Sequence, residues 1–541
     1  NNQAVTNVIA AFGKDFEEND NPFSGRWIPD IKSYGGYFPA ASKEKEAAAL
    51  YQTKAFYESL EQPEFLDRAE AHFLKKAIIA FKDKSVQSIE SIQTRLLKKI
   101  VSCHTELTQV ETAWSKLNNA KQACTSALGN NPLATLEQSQ QTLVSKEDEL
   151  NRVIQDKKIW VNFCASESIW LLLFRWLPPV AHKLLLLRKL FIENTFADIS
   201  KSLIDDKLEV TEVLTNWLDT HQKKVDELKQ CIEFYRGLID RVKQAEVMWL
   251  QTTSNISQSF PTFRNLPNNL DIDQVDDRLD ITFRFQLFQL TVHYWEARWL
   301  IECRKLAAKG NDDWAGHKKK GLKSVRPRWR RRMMLTPCIV STLHVLPSHM
   351  KYKVYAGDQK YNDEYLVGEI DLLIIDEAGQ VSPEVAAASF ALAKQALVIG
   401  DIHQIEPVRS LSRSVDIGNL MNNGVMTNEN QYDQVSKTGA TVVEGSAMKI
   451  AQRTSRYLSQ TEPGMFLREH RRCYDEIISF SNDLCYQGLL TPKRGPASHD
   501  NLFPPMAYLH IDGRAESPLS GSRYNRLEAT QVAAWLSGNR K

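Results

Sequence analysis

No two cysteines of this sequence stand in a C-x-x-C spacing. The eight cysteines are scattered singly, which argues against a zinc site or an iron–sulfur cluster and fits reduced thiols in a cytosolic compartment. Net charge is scarce too. Sixty-eight Lys+Arg offset 66 Asp+Glu, so any affinity for nucleic acid has to come from local clustering. The first residues, "NNQAVTNVIAAFG", carry neither a basic n-region nor a start methionine, so no secretory signal is expected and a fragment is. A long uncharged apolar run is also missing. The greasiest stretch, "SIWLLLFRWLPPVAHKLLLLRKLFI" at 168–192, is interrupted by Arg175, His182, Lys183, Arg188 and Lys189 and broken at Pro178-Pro179. A spanning helix needs about twenty mostly uncharged residues, so no membrane span is expected. Finally, there is no phosphate-binding P-loop. The one Gly-Lys pair, Gly13-Lys14, lacks both the glycine five residues earlier and the following Ser/Thr of G-x-x-x-x-G-K-[ST].

What is present is ordinary globular composition, 43% hydrophobic and 25% charged over 541 residues. That length suggests about three or four domains. Residues 1–40 are mixed and rich in turn formers. From about 41 to 317 the pattern is helical, and two parts of it show heptads. Leu96, Ile100, Cys103, Leu107, Val110, Trp114 and Leu117 alternate spacings of four and three, as do Val225, Leu228, Ile232, Tyr235, Ile239 and Val242. Such spacing predicts the seam of a coiled coil or long helical hairpin. The proline-broken apolar segment then falls at the hairpin's far end. Its leucines pack among themselves, or dock a partner, or form an amphipathic membrane contact. Trp170, Trp176, Trp249 and Trp295 are expected to be packing residues, and Cys473 and Cys485 core thiols.

After about 330 the texture becomes α/β. "CIVSTLHVL", "DLLIIDE", "ALVIGD" and "MAYLHIDG" read as parallel strands buried on both faces. Ligands of open α/β sheets bind outside the carboxyl ends of strands, and Asp376-Glu377 and Asp401 both fall at such ends. A strand-end Asp can hold Mg²⁺ through water, and a following Glu can orient or deprotonate an attacking water. A solvent cap is the alternative use of two such acids. Twenty-four residues after "DEAGQ" comes "GDIHQIEPV", whose Gln404 could hydrogen-bond a γ-phosphate.

"DEAGQ" followed by "GDIHQIEPV" resembles motifs II and III of superfamily 1 helicases, in particular the superfamily 1B group related to the RNA-surveillance helicases. "FLREHRRCYDEIISFSNDLCYQGLL" resembles that family's motif IV region, with Arg472 on its arginine but His470 and Arg471 in place of its Gln and Tyr. "SRYNRLEA" is similar to a later segment carrying Asn525 and Glu528. "NNQAVTNVI" is similar to motif Ia, with Asn2 on the family asparagine, and "PCIVSTLHVLP" to motif Ic, whose Ser341 and Thr342 face nucleic acid. The resemblance implies an α/β fold: a RecA-like parallel-sheet helicase core with a large all-α, coiled-coil hairpin insertion. Domain 1 would begin at 1–40, the insertion would span 41–332, domain 1 would resume over 333–455, and a truncated domain 2 would occupy 456–541. It implies ATP and Mg²⁺ as cofactors, single-stranded DNA or RNA as partner, 5′ to 3′ movement, and a cytoplasmic or nucleoid-associated location. Asp376 would hold Mg²⁺, Glu377 would be the catalytic carboxylate, and Gln404 would sense the γ-phosphate beside Gly400 and Asp401. Arg472 would contact phosphate from the second domain. The helical arm would choose a protein partner or gate the nucleic-acid path. In that family a P-loop precedes motif Ia and an arginine finger comes last, so this chain alone is expected to hydrolyse ATP negligibly.

The strongest charge feature is "KKKGLKSVRPRWRRR" at 318–332, in which Arg328, Arg330 and Arg331 surround Trp329. Basic side chains neutralise phosphates and an interleaved aromatic stacks a base, so this segment is expected to bind nucleic acid; a solvated linker is the alternative. His344 and His349 are too isolated for a metal site. Two other readings stand beside the motor: an ABC-type coiled-coil ATPase, which lacks its serine-glycine signature here, and a nucleic-acid-binding scaffold or half of a split enzyme.

Overall fold

The computed structural model describes residues 2–13, 22–85, 88–204, 209–257, 272–310, 313–409, 411–458, 462–498, 504–518 and 521–538. The structure is mixed α/β with a large helical part and small sheets.

Helix α1 (Asn2–Phe12) precedes strand β1 (Gly35–Phe38); helices α2 (Lys54–Leu60), α3 (Pro63–Phe81), α4 (Ile89–Leu128) and α5 (Pro132–Ser166) follow. Two short helices, α6 (Ile169–Leu173) and α7 (Pro178–Thr195), lead to the long α8 (Val210–Ile256), then α9 (Phe285–Ala307) and α10 (Leu322–Met333). Local chemistry sets the breaks. Ser88 accepts from the Ser91 amide at the start of α4. Gly129, at φ +72°, ends that helix, because a left-handed φ suits a residue without Cβ. Asn131 then caps α5 and Pro132 opens it.

The heptad positions are where the helices meet. Leu96, Cys103, Leu107, Val110, Trp114 and Leu117 are buried on α4, and Val225, Ile232 and Ile239 on α8; Ile100, Leu228, Tyr235 and Val242 are half-buried. Trp114 lies on Trp249 at 5.2 Å, Cys124 and Leu128 on Leu238 and Ile239, so α8 runs antiparallel to α4. Farther out, Val153 and Trp160 of α5 pack with Val210 and Leu214 at the other end of α8. The arm is therefore α4 continued by α5 on one side and α8 returning on the other. At about 1.5 Å per residue the 47 residues of α8 span roughly 70 Å. Each buried Leu, Ile or Val contributes about 2 kcal/mol.

Two larger cores divide this region, with the small cluster of Cys124, Leu128, Leu238 and Ile239 between them. The larger joins Phe23, Trp27, Ile28 and Ile31 to α3, the base of α4, the end of α8 and α9; it continues across residue 40 without a break. The smaller, around Trp160, Ile192 and Phe196, lies at the arm's far end. Of the tryptophans expected to pack, Trp249 is fully buried, but Trp170, Trp176 and Trp295 are exposed. The leucines of the proline-broken segment are largely exposed too.

Among the described residues the α/β part holds four two-stranded pairs. β1 pairs in parallel with β2 (Cys338–Ser341), joining chain segments about 300 residues apart. β3 (Lys351–Gly357) and β4 (Lys360–Tyr365) form an antiparallel hairpin, turning through Asp358 and Gln359 at positive φ. β5 (Ile370–Ile375) and β6 (Ala393–Val398) are parallel, linked by helix α11 (Pro383–Ala391). β7 (Glu469–His470) and β8 (Thr491–Pro492) are parallel and two residues long.

Three expectations are corrected here. The strands are not buried on both faces: Leu373 and Ile375 are buried against α11 and α12 (Ala447–Thr454), whereas Leu372 and Ile374 are 50% and 55% exposed. Helices cover one face of β5 only. And "MAYLHIDG" at 506–513 forms no strand. Cys473 and Cys485 are half-buried rather than core thiols.

Candidate functional site

The acids of "DLLIIDEAGQ" stand at the carboxyl end of β5, as the run of Leu372–Ile375 predicts. β5 and β6 stay paired beyond their last ladder residues: the Ile399 amide donates to the Ile375 carbonyl (2.8 Å), and the Ala378 amide to the Ile399 carbonyl (2.9 Å). The two following loops therefore lie against each other. A Cβ on Gly379 would come within 2.5 Å of the Asp401 carbonyl oxygen, and one on Gly400 within 2.9 Å of the Ala378 and Gly379 amides. This close approach is the physical reason for glycine in both "DEAGQ" and "VIGD". It brings Asp376, Glu377, Gly400, Asp401 and Gln404 to one end of the β5–β6 pair.

Within that end, Asp376 accepts from the Glu377 amide (2.9 Å). Glu377 occupies the left-handed region at φ +54°, an uncommon conformation for a non-glycine residue that marks a constrained position. Its Oε2 accepts from Gln380 (3.3 Å). Both acids are exposed. Asp401 is better enclosed. It accepts from the His403 amide (2.9 Å), from Gln404 Nε2 (3.1 Å) and from the Tyr486 hydroxyl. Burial alone raises a carboxyl's pKa, but these donors outweigh it and hold Asp401 below its ordinary value. Burial and the same hydrogen bond push Tyr486 up to about 12. His403 stacks edge-on against Tyr486 and reaches Glu462 at 3.3 Å. Tyr486 follows helix α13 (Asp475–Cys485), so this cluster ties the 456–541 region to the β6 loop. Tyr486 was not legible in the sequence, since a tyrosine in "LCYQGLL" carries no signal of its distant partner.

Arg472 lies two residues beyond β7, a third parallel strand end. It is exposed, and its carbonyl accepts from Arg494 (3.1 Å). Asn525 caps helix α14 (Arg526–Gly538) by accepting from the Glu528 amide (3.2 Å).

A cleft of about 2180 Å³ opens beside β5. It gathers Asp376 and Glu377, Ser341 and Thr342 from the end of β2, and Trp329 and Arg330 from α10. Ser341 donates to the Phe38 carbonyl (2.9 Å), fixing the end of β2 against β1. Asn2 stands at the first turn of α1, and Gly13 follows that helix; Lys14 lies outside the described residues.

The basic segment divides in two, and here the sequence reading is corrected. Arg331 is 2% exposed. Its Nε donates to Glu61 Oε1 (2.6 Å) and its Nη2 to the Ala315 carbonyl (3.0 Å). Arg332, also buried, donates to Glu61 Oε2 (3.1 Å), and His317 meets the same oxygen at 2.6 Å. Burial raises the Glu61 pKa, but His317, Arg332 and Arg331 bring it down to about 2. Arg328 donates to the Gly316 and Lys319 carbonyls, and its half-buried guanidinium is pulled below its ordinary pKa, mainly by burial. Trp329 packs edge-on against Phe38 at 5.0 Å. Arg330 is exposed and pairs with Glu369 (2.7 Å). The reason is helical geometry: α10 lies on the body of the protein, so its arginine-rich end turns inward. Lys318, Lys319, Lys320 and Lys323 remain exposed, without an ion pair among the described residues.

No group of three or more His, Cys, Asp or Glu suited to a metal ion occurs among the described residues. Magnesium does not demand one: it commonly binds through one or two carboxylates, several waters and a ligand's phosphates, and the exposed Asp376 fits that use. Comparison with protein-family models, curated proteins and solved structures finds no match.

Proposed function

We propose that this chain carries the metal-holding and γ-phosphate-sensing side of a nucleotide site, in an ATP-dependent translocase or helicase of the superfamily 1 kind with a RecA-like core. One observation carries the reading: the close-packed loops after β5 and β6 place Asp376, Glu377, Asp401 and Gln404 at one strand end. A parallel pair linked by a helix has its ligand position there. When bound, Mg²⁺ neutralises phosphate charge. Asp376 supplies an exposed carboxylate to it. Glu377 orients an attacking water and takes its proton. Gln404, held by Asp401, offers its remaining amide valences to a terminal phosphate. Arg472, at the end of β7, supplies a cation to the same phosphate from the second unit. Ser341, Thr342, Trp329 and Arg330, sharing a cleft with the two acids, offer a path for single-stranded DNA or RNA next to the nucleotide.

The reading requires a phosphate-binding loop, which these 541 residues do not contain. Its test is ATP turnover stimulated by single-stranded nucleic acid, in the full gene product and in this chain alone. Full-length protein should turn over ATP and lose about 10²–10⁴-fold with Glu377→Gln, while this chain alone stays at background. Turnover indifferent to Glu377→Gln, or magnesium-dependent turnover by this chain alone, would overturn it. A nucleic-acid-binding scaffold is the second reading. The exposed lysines 318–320 favour it, and binding without any turnover in the full product would establish it.

A further inference from the structure

The far end of the helical arm exposes apolar surface that its own core does not need. That core is closed by Val153, Trp160, Ile192, Phe196, Val210 and Leu214. Outside it, Ile169, Trp170 and Trp176 are 71%, 71% and 73% exposed, and Leu173, Leu186 and Leu190 of the same chain segment are exposed too. Single exposed leucines are ordinary, but a contiguous patch marks an interaction surface. Its charge is one-sided. Between Ser168 and Ile192 there is no carboxylate, against Arg175, Lys183, Arg188 and Lys189. Arg188 is held by both oxygens of Glu167 at 2.7 Å, whereas Arg175 and Lys183 make no ion pair among the described residues. No described helix is long and apolar enough to cross a membrane.

We propose that this end of the arm is an interfacial anchor for the surface of an anionic lipid bilayer. Trp170 and Trp176 lie at headgroup level, the leucines of α7 in the shallow acyl region, and Arg175 and Lys183 against the lipids' negative charge. Three observations favour a bilayer over a folded protein. Tryptophan has an apolar body and one polar N–H, which suits the membrane boundary. Leu185, Leu186 and Leu187 are all exposed, and consecutive helical positions point about 100° apart. A protein groove reads a single stripe, whereas the tip of a helical arm that dips into a bilayer can immerse more than one face. The third is charge complementarity: a cationic, acid-free tip matches an anionic surface. The patch also stands at the outer end of α8, roughly 50 Å of helix from where Ala245 joins the main core, where a flat surface can reach it.

The experiment is co-sedimentation of the whole chain with vesicles of phosphatidylcholine, with and without phosphatidylserine. The chain should bind the phosphatidylserine vesicles preferentially. Arg175→Ala and Lys183→Ala should each weaken binding about fivefold, and Trp170→Ser with Trp176→Ser by about tenfold or more. All four side chains are exposed, so thermal melts should not move. Lys319→Ala with Lys320→Ala, in the other basic segment, should leave vesicle binding within about twofold, which separates the tip from general attraction. Absence of vesicle binding, no preference for phosphatidylserine, or tip variants that bind like the parent would each overturn the proposal. So would a protein that protects the tip from protease when vesicles do not. None of these outcomes depends on the nucleotide site.

Discussion

At the scale of single residues, Glu61 is a consequential side chain that no motif marks. It is the middle one of three glutamates in "YESLEQPEF", yet it answers two buried guanidiniums and a histidine. Removing one partner from a buried ionic cluster leaves an uncompensated charge, which costs about 3–5 kcal/mol. Glu61→Gln should therefore lower the unfolding free energy measured by urea titration by that amount; an unchanged value would mean that the cluster does not form. The pH dependence has a definite sign. Glu61 has its pKa lowered from 4.5 to about 2 by folding, so its contribution is complete above about pH 4.5 and fades as pH falls towards 2. The difference corresponds to about 3 kcal/mol. Stability measured between pH 5 and pH 2 should fall less steeply in Glu61→Gln than in the parent.

Among the elements, the segment at 318–332 shows how one composition serves two purposes. Arg331→Ala should destabilise the protein, because the change strips a counter-charge from Glu61. The lysines before it behave differently. Replacing Lys318, Lys319, Lys320 and Lys323 by Ala should leave stability unchanged and flatten the salt dependence of single-strand binding, by up to about 3 in the logarithmic slope. An unchanged slope would remove this segment from the nucleic-acid path. The loops after β5 and β6 make a sharper case. Gly379→Ala drives a Cβ to 2.5 Å from the Asp401 carbonyl, which backbone can relieve only by separating the loops. The expected cost is about 1–3 kcal/mol, with a loss of nucleotide turnover beyond what reduced stability explains. Retained turnover would show that the strand-end acids work without this contact.

For the whole molecule, the separate cores predict separate stability. Leu214 belongs to the outer core alone and is fully buried; Leu214→Ala removes about 2–5 kcal/mol from that unit. Hydrogen exchange should accelerate for amides of 150–166 and 196–204 while those of 96–117 keep their protection. Uniform acceleration would instead make arm and body one cooperative unit.

Much of this was legible in the chain, and the physics explains which parts. Period determines the faces of a helix, so the positions from Leu96 to Leu117 and from Val225 to Val242 were readable as the faces on which the helices meet. The apolar run before Asp376 placed the acids at a strand end, because a short run of Ile and Leu bounded by acids favours an extended β segment, although the expected cover on both faces did not form. The breaks at Gly129 and Pro132 follow from φ preferences that each residue carries alone. Tertiary structure decided everything that depends on which face meets what. It turned Arg331 inward to Glu61, 270 positions away, and brought Tyr486 onto Asp401. Only one face of β5 is covered, and Trp170 and Trp176 are left outside a core that their composition would equally have suited. A sequence records each side chain's chemistry and local period; burial and pairing are properties of two surfaces at once, and the second surface is supplied by the fold.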